Sequence, residues 1–171
     1  FVTFEGCRVM KKLLIGSICV FTALQSFAYD ERDASKLVKK FSETVACQLE
    51  DAGQQKEQYK AVKLASDDKD TGQGAMYVVF WYGDLGCSGG NGTVTPNFTV
   101  VEHTGFSSTA PIVMLDYKFP DISLVSLSSF TAQNGVLNIK GVTYGPNDNQ
   151  HQPKTPVTYR LKFVDGKFVK Q

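Results

Sequence analysis

Ser88, the histidines His103 and His151, and a scatter of carboxylates are the residues that could carry hydrolytic chemistry. A serine hydroxyl becomes a useful nucleophile when a histidine takes its proton and a carboxylate holds that histidine in the right tautomer. Gly86-Cys87-Ser88-Gly89-Gly90 has the G-x-S-x-G spacing of a nucleophile elbow, and Asp116 or Asp121 and then His151 follow in the matching order. The elbow also requires a helix directly after the serine, whereas positions 93–102 read as a strand. The sequence therefore assigns no catalytic residue, and a small serine hydrolase using Ser88 with His103 or His151 is kept as the alternative. His103 on its own, with no orienting carboxylate nearby in sequence, reads as an ordinary surface residue.

Metal and cofactor chemistry find no better support. Asp67, Asp68 and Asp70 precede Gly72 but lack the spacing of an EF-hand loop. The histidines and cysteines do not fall into zinc-ligand spacing, and no phosphate-cradling glycine motif is present. No cofactor and no metal are expected. What remains is a glycine-dense stretch, with five glycines in positions 83–92. It reads as a tight loop after a strand, pinned by a crosslink and able to present Trp81, Tyr82, Asp84, Ser88 and Asn91 to a partner.

The crosslink follows from the compartment. Met10-Lys11-Lys12, an uncharged apolar run over 13–25 and Ser26-Phe27-Ala28 have the three-part layout of a secretory signal. Residues 1–28 read as an over-long start plus a signal peptide at 10–28, and 29–171 as one domain in the periplasm. The apolar run is shorter than the roughly 20 residues of a spanning helix, so stable membrane insertion is not expected. Cys47 and Cys87 are then the pair left in an oxidising compartment and are expected to form a disulfide. The 29–171 segment has 15 basic and 16 acidic side chains. That balance offers no attraction for nucleic acid and no long-range steering of any partner.

The elements that must position these residues are one helix and a series of strands. Asp33 can cap a helix over 33–50 whose apolar stripe is Leu37, Phe41, Val45 and Leu49. From Tyr59 the hydrophobic period changes to two, with strand candidates at 59–65, 75–82, 98–103, 111–117, 122–128, 136–143, 157–164 and 167–170. Asn134-Gly135 and Asp165-Gly166 are two-residue hairpin signals. The segment 76–82 is apolar almost throughout, as a central strand covered on both faces would be. The expected fold is α+β: one N-terminal amphipathic helix packed on a curled, mostly antiparallel meander.

Together with the signal and the helix ending near a cysteine, several motifs carry a resemblance. They are Trp81-x-Gly83-Asp84-x-Gly86-Cys87-x-Gly89-Gly90-x-Gly92-Thr93, Tyr144-Gly145-Pro146-Asn147-Asp148, Tyr159-Arg160-Leu161 and Asp165-Gly166-Lys167. The chain resembles small exported proteins of Gram-negative bacteria, similar in size and make-up to periplasmic inhibitors and immunity proteins that block cell-wall-degrading enzymes. That resemblance is one of class and transfers no functional residue. The failure of every nucleophile, base and metal set on spacing, with a rigid loop carrying Trp81 and Tyr82, gives the expectation of a non-enzymatic binding protein whose partner is another protein in the periplasm. An envelope-assembly or structural component is the third reading.

Overall fold

The computed structural model describes residues 29–49, 58–65, 74–90, 93–104, 110–149 and 152–171. The expected signal segment, the acidic run at 67–70, Asn91 and His151 lie outside them. The described chain is α+β, with one helix, α1 (Glu31–Val45), and nine strands in two antiparallel sheets. The first sheet holds β1 (Gln48–Leu49), β2 (Tyr59–Ala65), β3 (Ala75–Asp84), β4 (Thr95–His103) and β5 (Ile112–Met114). The second is the meander β6 (Ser126–Gln133), β7 (Val136–Thr143), β8 (Thr155–Val164) and β9 (Lys167–Lys170).

Two sheets replace the single curled meander expected from sequence. The division falls in the connection after β5, where apolar residues pack without a ladder. Phe119 stacks on Phe98 of β4 at 5.3 Å and on Phe168 of β9 at 4.2 Å, filling the space between the sheets. Leu124 is buried beside it in the same cluster. The expected strands at 111–117 and 122–128 shrink and shift accordingly, to Ile112–Met114 and Ser126–Gln133.

β3 is the central strand, as its unbroken apolar run requires. β4 lies along one side of it, and β1 and β2 share the other end to end. Successive side chains of a strand face opposite ways. Val78, Phe80 and Tyr82 join Phe130, Leu137, Ile139 and Leu161 between the sheets, while Ala75, Tyr77, Val79 and Trp81 pack against α1. The order of layers is therefore helix, first sheet, second sheet.

The helix sits differently from its sequence pattern. Asp30, not Asp33, is the N-cap, its carboxylate accepting from the Arg32 and Asp33 amides at 2.8 and 3.1 Å. The fully buried line is Ala34, Val38 and Ser42, with Leu37 and Phe41 beside it and Val45 exposed. Small residues on that line let the helix lie close to the sheet. Ser42 is satisfied there: its hydroxyl donates to the Lys39 carbonyl at 2.8 Å and lies 2.6 Å from the Tyr59 hydroxyl. At Ala46 the backbone becomes extended and Leu49 passes into β1, so the helix stops short of 50.

In the second sheet both hairpin signals are realised. Asn134-Gly135 and Asp165-Gly166 have φ of 51° and 73°, and 48° and 75°, the left-handed pair that a type I′ turn demands. Gly141 of β7 has a different reason. A Cβ there would fall on the Ser126 carbonyl and on Leu124, because β6 enters the sheet directly above it.

Candidate functional site

The loop after β3 is held by three devices. Cys47, two residues past the helix, is bonded to Cys87, with Cα atoms 5.2 Å apart. The Cys47 amide donates to the Asp84 carbonyl at 3.0 Å, which opens β1. The Asp84 carboxylate, buried, accepts from the Gly86 amide at 3.0 Å and the Gly89 amide at 3.4 Å. Cys87, Gly89 and Gly90 take positive φ, and the Asp84 bonds and the disulfide fix that turn against the cost of a left-handed cysteine.

These contacts reassign most of the residues expected to face a partner. Trp81 is 1% exposed, its ring lies over Gly83, and its indole N–H donates to the Thr99 hydroxyl at 2.8 Å. Tyr82 is buried on the opposite face of the sheet, where its hydroxyl accepts from the Leu127 amide at 3.1 Å. Asp84 is occupied by the loop's own amides. Trp81, Tyr82 and Asp84 thus build the loop rather than present it. Ser88 is exposed, and Asn91 lies outside the described residues.

Nor does the fold gather the hydrolytic residues. Ser88 follows the last residues of β3, whereas His103 pairs with Ala75 at the strand's other end. Eight or nine residues of extended chain separate the two by about 30 Å. His103 is buried, not on the surface as expected, and its ring stacks on Tyr29 at 5.9 Å. His151 lies outside the described residues.

What the loop does border is a cleft of about 140 Å³ at the open edge of β4, lined by Phe41, Trp81, Leu85, Asn97, Met114 and Leu115 among others. β5 pairs only with Val100, Val101 and Glu102. The chain leaves the ladder after Met114, so among the described residues no strand pairs with β4 beyond Val100 on this edge. The His103 carbonyl accepts from Gly74 on the β3 side, so alternation turns the backbone N–H and C=O of Phe98 outward, beyond the last β5 pair. Pro96, the next outward position, has no N–H to offer.

Leu115 is 76% exposed and Leu85 50% exposed, and both line the cleft. The polar groups within the cleft are spent internally. The Asn97 amide donates to the Gly83 and Thr95 carbonyls at 3.0 and 2.9 Å, and Thr99 holds the indole of Trp81. Tyr117, also on the wall, donates to the Glu102 carboxylate. Burial first, and that carboxylate second, push its phenol up to about 12, so it stays neutral.

The cleft is therefore a small seat with apolar and polar lining, beside a rung of backbone at Phe98 that β5 does not cover. It is smaller than the roughly 300–1,000 Å³ of small-molecule sites and fits a single side chain. Sequence reading missed Phe41, Met114 and Leu115, which come from distant segments. One signal was available: the unbroken apolar run from Ile112 to Leu115 cannot turn every side chain inward. Among the described residues no cluster of side chains could hold a metal ion, and no helix is long and apolar enough to cross a membrane. Compared with known protein families, curated proteins and solved structures, the chain matches none.

Proposed function

We propose that the chain is an exported, non-enzymatic binding protein that seats an apolar side chain of a protein partner in the β4-edge cleft. Within that reading it acts as an inhibitor or immunity protein toward an envelope-targeting enzyme. The observation that carries the reading is a pair of exposed leucines, Leu85 and Leu115, that both line the cleft. Exposed leucines around a concave seat favour a partner, since their burial on binding releases ordered water. An extended segment suits the place: its backbone meets the Phe98 rung while its side chain enters the cleft. The disulfide and the Asp84 bonds keep the Leu85 wall rigid before binding, which lowers the ordering cost of association.

A photo-crosslinking residue placed at Leu115, activated in intact cells, tests this. A discrete protein adduct is expected, and it should vanish when Leu85→Asp is added to a chain that still folds. Absence of an adduct, together with ester turnover by the purified protein that Ser88→Ala abolishes, would replace the reading with the hydrolase.

A further inference from the structure

We propose that the outer face of the β6–β9 sheet is a docking surface for an anionic lipid bilayer, on which the protein lies without spanning it. The near-neutral total charge conceals a segregation. Residues 29–121 have nine basic and fourteen acidic side chains, and residues 122–171 have six basic and two acidic. The second sheet collects most of that basic excess on the face turned away from both cores. Arg160 and Lys162 alternate with the buried Leu161 on β8; Lys140 of β7 lies opposite Thr158, and Lys167 of β9 opposite Val164. The four cations form a diagonal band across three strands, about 20 Å long at the usual strand rise. All four are exposed, and among the described residues none is paired with a carboxylate.

The composition of the face selects the occupant. The aromatic rings within its strands, Phe130, Tyr159, Phe163 and Phe168, all pack on the inner side, and the exposed Tyr144 lies past the end of β7 rather than in the band, so the band itself offers no ring to stack on a base. A band with a single arginine and no aromatic among its strand residues also makes a poor set of anchors for a protein interface. A bilayer requires neither shape nor anchors, only cations on a flat surface and some apolar groups among them. Val164 and Val169 supply those groups: both are exposed, and they checker with Lys167 and Lys162 across the β8–β9 ladder. Valines at that level enter the boundary of headgroup and acyl chain while lysines reach the phosphates. At its margins lie Asp165, in the hairpin turn between β8 and β9, and Asp148, in the β7–β8 connection, whose carboxylate is occupied by four internal donors.

The test is co-sedimentation of the protein, in the form the cell accumulates, with vesicles of 3:1 phosphatidylcholine and phosphatidylglycerol. Binding is expected at low salt and not with phosphatidylcholine alone, and it should fall in 0.5 M NaCl as screening shortens. Lys162→Gln with Lys167→Gln should weaken it about 25-fold, near fivefold per cation. The pair Lys39→Gln and Lys40→Gln on the exposed face of α1 should leave it unchanged. Val164→Ser with Val169→Ser should weaken vesicle binding while the variant still melts cooperatively above the assay temperature. If the Lys162 and Lys167 double variant melts early, Lys140→Gln with Arg160→Gln takes its place. Equal binding to neutral vesicles, equal losses from the helix and sheet variants, or preference for duplex DNA or polyglutamate over vesicles would overturn the proposal.

Discussion

Asp148 shows how much one side chain can organise. Its Oδ2 accepts from the Gly145, Lys154 and Thr155 amides and from the Thr155 hydroxyl, at 2.8 to 3.2 Å, closing the connection between β7 and β8. Those donors, led by the Lys154 and Gly145 amides, hold its carboxyl down to about 2. A carboxyl depressed in the folded state adds stability above its ordinary range near 4, and that stability disappears as pH falls through 2. Asp148→Asn should lower the melting temperature at pH 7 by about 2–4 °C and flatten its decline between pH 4 and 2, as calorimetry over that range would show. Read from sequence, the stretch around Asn147-Asp148-Asn149 is polar and flanked by prolines, which gives an exposed loop but no organiser. The four donors come from residues up to seven positions away, and only the folded chain brings them to one oxygen. Trp81 carries a parallel lesson. It is the protein's one tryptophan, and its fluorescence should be blue-shifted and resist iodide quenching. Gly83→Ala should reverse both effects by pushing the ring off its seat.

Between elements, the disulfide joins the end of α1 to the loop after β3 across 40 residues. Cys47→Ser should cost about 2–4 kcal/mol in denaturant unfolding, chiefly by freeing the unfolded chain. Two glycines separate steric from conformational demands. Gly141→Ala drives a methyl group into the Ser126 carbonyl and should cost about 2–3 kcal/mol. Gly135→Ala meets open space and should cost only about 1–2 kcal/mol, the left-handed penalty. The hairpins at Gly135 and Gly166 were legible because turn chemistry is local. The β2, β7 and β9 limits were legible because alternation is local too. The helix stripe was legible in part: Leu37, Phe41 and Leu49 do pack on the helix-side core, but Val45 is exposed and close approach to the sheet puts Ala34, Val38 and Ser42 at the centre of the contact. The break between sheets was not legible, because Ile122 and Leu124 have strand composition yet spend it on packing between layers.

For the molecule as a whole, the near-zero charge concealed a band of cations that pairing across strands brings together, since no run of sequence contains it. The candidate cleft was hidden in the same way: Phe41, Leu85 and Leu115 meet only after α1, the β3 loop and β5 are assembled. β3 lies between the helix-side and sheet-side clusters and supplies buried residues to both. Stripping either cluster away would bare one flank of the strand on which the other depends. Neither half can then melt alone, and tryptophan emission, which reports on the helix side, should trace the same transition as amide exchange in β7 on the far side.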